Sequence, residues 1–194
     1  MGPRMLELEQ AYEILFAAIK PGGTTVSPLD EALYRTLASP VRCDLDSPPF
    51  DRSVMDGYAV RAADVATAPT TLRVVGKVPA GARPGVSLHT GEAVQINTGA
   101  PIPPGADAVV PEEETEQGPA DGTVVITAPS EVGRYITRQG AFATAGQTVL
   151  TPGTLLTPLD IGVAATVGAA NLTVYHRPTV AILSTGDELV DVHE

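Results

Sequence analysis

Asp56 is the residue best placed to do chemistry. It lies in the stretch Pro49-Phe50-Asp51-Arg52-Ser53-Val54-Met55-Asp56-Gly57-Tyr58-Ala59-Val60, which is denser in polar types than a simple strand or helix needs. Asp56-Gly57 is a turn signal, because Gly accepts φ > 0 at no steric cost. Tyr58-Ala59-Val60 then reads as strand. A carboxylate just ahead of such a turn is held on rigid backbone and faces a pocket or solvent, where it can act on a ligand. The same pattern also suits an Asx-turn in which Asp56 bonds its own backbone. Both readings stand at this level.

The other reactive types are scattered. Cys43 is the sole cysteine, which excludes an internal disulfide and a Cys-based zinc cluster. His89, His176 and His193 lie far apart, with no metal-ligand spacing. The run Glu112-Glu113-Glu114-Thr115-Glu116 reads mainly as a solvated turn or strand end. Some of its acids can face a site, because they directly follow the apolar Ala108-Val109-Val110. Lys77, with Arg83, is a candidate to face an anion, set against a plain solvated strand face.

The elements that must position these residues fall into three groups. Leu6, Leu8, Ala11, Ile14, Leu15, Ala18 and Ile19 have a helical period over residues 5–20, stopped by Pro21-Gly22-Gly23. A second helix is expected from a Ser27 cap, with Pro28 at its first position, to about Ser39-Pro40. Residues 41–47 read as extended. From about 48 to 135 the pattern is β: strands are expected at 72–78, 92–97, 108–111 and 123–127, with Pro111 placing its strand at an edge or terminus. Their spacing suggests a small barrel or sandwich. Farther on, Val149-Leu150 begins a ribbon. Thr157 caps a helix with Pro158 at its first position and Gly168 at its end. Leu172-Thr173-Val174-Tyr175 is a short strand. Residues 178–184 form an apolar run of the kind buried in a parallel sheet, which would have to pair within the chain, with a partner or with further chain.

Composition narrows the function classes. Of 194 residues, 43% are hydrophobic and 4% aromatic, with no Trp, so a core must come from Val, Leu, Ile and Ala. The net charge of −11 argues against nucleic acid or anionic lipid as the general partner. A small anion at a local basic or amide-lined site is still compatible with it. No apolar run reaches the ~20 residues of a membrane span. The N-terminus lacks signal-peptide and myristoylation patterns. The default expectation is a cytoplasmic protein.

Four ordered motifs carry a family resemblance. They are residues 49–61; Gln95-Ile96-Asn97-Thr98-Gly99-Ala100-Pro101-Ile102-Pro103-Pro104-Gly105 with the following Ala106-Asp107-Ala108-Val109-Val110; the ribbon and helix from Gly146 to Gly168; and Arg177-Pro178 through Ser184-Thr185-Gly186-Asp187-Glu188-Leu189. Together they closely resemble the molybdopterin molybdenumtransferase family, the bacterial MoeA type that is similar to the C-terminal domain of gephyrin. The resemblance covers essentially the whole chain, as an N-terminal portion of the family.

It implies an α+β, multidomain fold: an elongated arm of helices and β-ribbon, an inserted small β barrel or sandwich-like domain, and the first strand of a truncated α/β domain. The implied boundaries are an N-terminal helix at 1–23, a discontinuous arm or dimerisation domain at 24–47 and 136–177, the β domain at 48–135, and the start of a molybdopterin-binding domain at 178–194. The implied chemistry is molybdenum cofactor biosynthesis, with insertion of molybdate into adenylyl-molybdopterin assisted by Mg2+. The implied partners are a second copy, as homodimer, and the upstream molybdopterin-adenylating protein.

Carried over by position, the resemblance marks Asp56, Thr98 and Glu188 as catalytic. It marks Ser53, Gly99, Ser184, Thr185 and Gly186 as cofactor-binding, and Asp56, Asp187 and Glu188 as metal ligands. Two departures weigh against activity of this stretch alone. Where the family commonly has Gly-Glu-Asp-Ile, this chain reads Gly140-Ala141-Phe142-Ala143. The family also continues past Glu188-Leu189 through the domains that hold the cofactor. The expectation is therefore a portion inactive alone, with a non-catalytic dimerisation or scaffold module as the alternative.

Overall fold

The computed structural model describes residues 6–184, 186, 188–191 and 193. The chain divides into two compact units, one formed by Met1–Val41 with Leu150–Glu194 and the other by Arg42–Val149. The structure is mixed α and β, with short strands predominating over two α-helices. No helix among the described residues is long and apolar enough to cross a membrane.

In the first unit, α1 (Leu8–Ala18) is a real helix but buries none of its residues. Its apolar side chains Leu8, Tyr12, Leu15 and Phe16, with Ile19 at its end, are all at least half exposed. Strand β1 (Thr24–Pro28) follows. The expected helix from Ser27 to Ser39 does not form, and Ser27 and Pro28 belong to this strand instead. Isolated turns replace the helix because its amides find distant carbonyls: Tyr34 N donates to Leu156 O at 2.8 Å and Leu37 N to Thr154 O at 2.8 Å. Tyr34 also sits at φ 58, which ends any right-handed run. Cap and proline signals were present, but long-range pairing outweighed them.

Helix α2 (Pro158–Thr166) does start as the sequence indicates. Thr157 and Asp160 form a reciprocal capping box with Pro158 at the first helical position. Strand β12 (Asn171–Tyr175) pairs antiparallel with β1, and Leu37, Leu156, Ala164, Leu172 and Val174 are buried in this unit. The apolar run 178–184 is not a strand, and Val180, Ile182 and Leu183 are largely exposed. A strand is made by its neighbours' hydrogen bonds, and no described strand lies against this run.

Two short strands, β2 (Val41–Arg42) and β3 (Arg52–Ser53), precede the main sheet of the second unit. That sheet contains β4 (Gly57–Val60), β5 (Thr70–Val78), β6 (Glu92–Ile96), β7 (Ala108–Pro111), β8 (Thr115–Gln117) and β9 (Thr123–Ile126), in the order β7-β4-β6-β5-β9-β8. All pairs are antiparallel except β5 with β6. Alternation buries both faces. Val60, Ala93, Ala108 and Val110 join one apolar cluster with Leu72, Val124 and Ile126. Ala59, Val94, Ile96 and Val109 join the other with Val78 and Leu88. Side chains on a strand point alternately up and down, so neighbours in sequence supply opposite cores. β7 is the edge strand that Pro111 indicated, and β7 and β8 are not paired with each other, so the sheet is open. Two further strands, β10 (Ile136–Thr137) and β11 (Thr148–Leu150), pair with β3 and β2 respectively.

Gly57 is required for a reason other than its expected turn conformation. Its φ is not positive. A Cβ built there would lie 2.0 Å from Val110 O and 2.9 Å from Pro111 Cα. The glycine lets β7 close against the start of β4, where Gly57 pairs with Pro111.

Candidate functional site

The register of β4 on β6 brings the first two motifs together. Gly57 pairs with Ile96, so the residue before one and the residue after the other lie side by side. These are Asp56 and Asn97. Asp56 Oδ1 accepts from Thr98 N at 2.8 Å and from Asn97 Nδ2 at 3.0 Å. The carboxylate therefore makes no Asx-turn with its own backbone. It ties the strand start of one motif to the loop of another.

This contact favours its charged form. The Thr98 amide, then the Asn97 side chain, hold the Asp56 carboxyl below its ordinary value. The Thr98 hydroxyl and the positive charge of Lys77 add to the effect, and desolvation opposes it. Hydrogen bonds to an ionised carboxylate favour that form. Asp56 is exposed, and its lowered value favours the ionised form that a cation would meet. Lys77 reaches this neighbourhood because β5 pairs with β6, placing it beside Gln95.

Next to this contact lies a small cavity of about 190 Å³, lined by Arg52, Ser53, Val54, Thr98, Gly99 and Thr137. Its walls come from three stretches of chain. The β3–β10 pair sets Arg52 opposite Thr137 and Ser53 opposite Ile136. Arg52 also bridges Pro101. Ser53 N donates to Ala100 O and Gly99 N donates to Ser53 O, both at 2.9 Å. Gly99 takes φ +82 here, a backbone conformation that favours glycine. Ser53 is buried, and its hydroxyl is engaged by the Met55 backbone, donating to Met55 O at 2.6 Å.

The stretch Gly140-Ala141-Phe142 reaches one residue of this wall, Arg52. Phe142 is exposed, and the Arg52 guanidinium carbon lies 5.6 Å from its ring centroid. Asp51 is occupied elsewhere. It pairs with Arg138 at 2.6 Å and accepts from Gln139 N at 2.8 Å. The Gln139 amide, with lesser help from Arg138, holds its carboxyl below the ordinary value, while partial burial opposes this.

The expected residues thus separate into two sets. Asp56, Thr98, Ser53 and Gly99 are gathered in the Arg42–Val149 unit. Ser184, Gly186 and Glu188 belong to the other unit, and Ser184 ends no parallel strand, contrary to the sequence expectation. Thr185 and Asp187 lie outside the described residues. Among the described residues no three His, Cys, Asp or Glu side chains are grouped to hold a metal. Sequence reasoning passed over Arg52, Asn97 and Thr137 as site residues. Asn97 stands beside Thr98 in the second motif, but Thr137 is brought in only by the β3–β10 pairing. A larger cavity, about 450 Å³, lies by Pro129, Glu131, Val132 and Arg134 and contains none of the expected residues. There Arg134 is held by both oxygens of Glu114 and stacks on Tyr135.

Comparisons with known proteins show the family to which the chain belongs. A family model described as the MoeA N-terminal region (domain I and II) matches residues 6–168. The chain is 41% identical over 175 residues to a molybdopterin molybdenumtransferase of Nostoc sp., covering 88% of this chain and 40% of that protein. It is 39% identical over 181 residues to the protein of the same name from Bacillus subtilis, covering 90% of this chain and 42% of the relative. A crystal structure of the molybdopterin biosynthesis moeA protein from Pyrococcus horikoshii OT3 superposes with a TM-score of 0.82 at 32% identity, over 88% of this chain and 46% of that one. The chain spans less than half the length of each of these proteins.

Proposed function

Because the chain belongs to the family of the MoeA N-terminal region (domain I and II), we propose that it forms the N-terminal part of a molybdopterin molybdenumtransferase. In this reading the whole enzyme inserts molybdenum from molybdate into the dithiolene of adenylylated molybdopterin, and AMP is released. The Arg42–Val149 unit supplies one wall of the reaction cleft. The observation that carries this is the meeting of Asp56 with Thr98, residues of two separate motifs joined by one hydrogen bond.

Asp56 presents an ionised carboxylate whose Oδ1 is taken by Asn97 and Thr98. That suits a magnesium ion held by one carboxylate, ligand phosphate and water, the usual pattern for this metal. A bound magnesium ion would neutralise phosphate charge. The residues of this unit orient the carboxylate, fix its ionisation and shape the wall. Positioned groups supply most of the barrier lowering in such sites, and the family's later domains carry many of them. The stretch of chain by itself is therefore inactive in this proposal.

Homodimerisation belongs to the same reading. The uncovered apolar side of α1, with Leu8, Tyr12, Leu15 and Ile19 at helical spacing, supports it. A cytoplasmic location and the adenylating protein as upstream partner also go with it. A second reading, a non-catalytic dimerisation or scaffold module, is favoured by the stretch where the resemblance would place a pair of acids: this chain has Ala141-Phe142 there, side chains that can neither bind metal nor accept a proton.

A chimera separates the two. The matching region of the Bacillus subtilis relative is replaced by this chain, and cofactor formation from adenylylated molybdopterin and molybdate is measured. The enzymatic reading expects turnover by the chimera and none by the 194-residue chain. A folded, dimeric chimera without turnover would favour the scaffold.

A further inference from the structure

Among the described residues, the arginines in ion pairs are Arg61, Arg73, Arg134 and Arg138, and Arg52 has no counter-ion. Its sequence neighbour Asp51 is consumed by Arg138 and the Gln139 amide. Yet Arg52 is well held. Its backbone lies between Thr137 and Pro101, and its guanidinium rests over the Phe142 ring at 5.6 Å, within cation–π range.

Arg52 opens on the small cavity described above, together with Thr98, Gly99 and Thr137. Residues directly opposite in an antiparallel pair share a face, so the Thr137 hydroxyl accompanies the guanidinium. Gly99 adds no side chain to fill the space. The cavity, about 190 Å³, is smaller than the ~300–1,000 Å³ that encloses a drug-sized ligand. It suits one tetrahedral group rather than a whole nucleotide or pterin. A planar guanidinium fork matches such oxyanions.

We propose that this cavity is an oxyanion subsite, in which Arg52 and Thr137 bind a tetrahedral oxyanion and Phe142 is the positioning residue that holds the guanidinium at its mouth. The subsite rests on the functional reading above, since it names ligand chemistry for the same wall. The oxyanion is molybdate itself or a phosphoryl group of the organic substrate.

Isothermal titration calorimetry of the full chain at low ionic strength, with sodium molybdate and inorganic phosphate in separate runs, tests this. Saturable one-to-one binding of at least one anion is expected, and the tighter of the two identifies the source. Arg52→Gln should weaken it about tenfold, the scale of a lost charged hydrogen bond, with the thermal midpoint unchanged. Phe142→Ala should weaken it about two- to fivefold, and Phe142→Tyr should restore it. If Arg52→Gln does not fold, Arg52→Lys, which keeps the charge and loses the fork, carries the test with a smaller loss. Absence of saturable binding by the parent chain, or parent-like binding by both the Arg52 and Phe142→Ala variants, overturns the subsite. An active chimera whose chain binds no oxyanion rejects the subsite alone. Oxyanion binding by a chain whose chimera is inactive rejects the enzymatic reading alone.

Discussion

Asp56 and Thr98, forty-two positions apart, are joined by a 2.8 Å hydrogen bond from the Thr98 amide to the Asp56 carboxylate. One side chain therefore serves both structure and charge. It ties down the loop after β6, and that bond favours its ionised form. Asp56→Asn keeps an acceptor oxygen but loses the charge, while Asp56→Ala loses both. In a whole family enzyme, Asp56→Asn should lower turnover strongly with little change in thermal midpoint, and Asp56→Ala should lower both. Equal midpoints for the two variants would remove the tether from the account.

Gly57→Ala should be among the most damaging single-methyl changes in the sheet. The added carbon would meet a backbone carbonyl 2.0 Å away, with no flexible side chain to yield. A loss of about 1–3 kcal/mol or more is expected, read as a lower urea midpoint. Gly99→Ala should also destabilise, through its φ of +82 rather than through contact.

Stability should fall in acid through named carboxylates. Asp46, Asp51, Asp56 and Asp160 all have folded-state values below the ordinary 3.8. The first-ranked causes are the amides of Ala145, Gln139 and Thr98 and, for Asp160, the Thr157 hydroxyl. A lowered carboxyl value contributes stability that is fully present above the unfolded value. That stability is lost as pH falls from there through the folded value. Thermal midpoints should thus be level near neutrality and drop below about pH 4. Asp51→Asn should flatten that acid limb, and an unchanged limb would count against the assignment.

Helix α2 depends on its capping box. Thr157→Ala removes the side chain that receives Asp160 N and should cost about 1 kcal/mol. Thr157→Ser should restore it, measured by chemical denaturation.

The uncovered side of α1 predicts a change in assembly rather than in fold. Leu15→Glu with Phe16→Glu should leave the circular dichroism of the strands intact, because neither residue is buried. Light scattering should show reduced self-association if a second copy covers this helix. Identical masses for parent and variant would remove α1 from the dimer proposal.

Local signals were reliable where local interactions decide. Thr157-Pro158-Leu159-Asp160 carries its own cap, and α2 begins there. The alternation in Glu92–Ile96 indicated β6, and Pro111 indicated an edge. The same kind of signal failed at Ser27-Pro28, where distant carbonyls captured the amides that a helix would have used. It failed again over 178–184, where apolar β-branched residues without a neighbouring strand have no ladder to join.

The sequence by itself determined the family, through the likeness of ordered motifs, and singled out Asp56 as the candidate site acid. Residue order and spacing suffice for that. Only the tertiary structure decided what Asp56 touches, why Gly57 must be glycine, and that Arg52 and Thr137 line one small cavity, with the Phe142 ring against the Arg52 guanidinium. Those facts depend on strand register. Pairing Gly57 with Ile96 and Arg52 with Thr137 joins residues far apart in the chain, and register is set by the packing of whole faces rather than by any local run of residues.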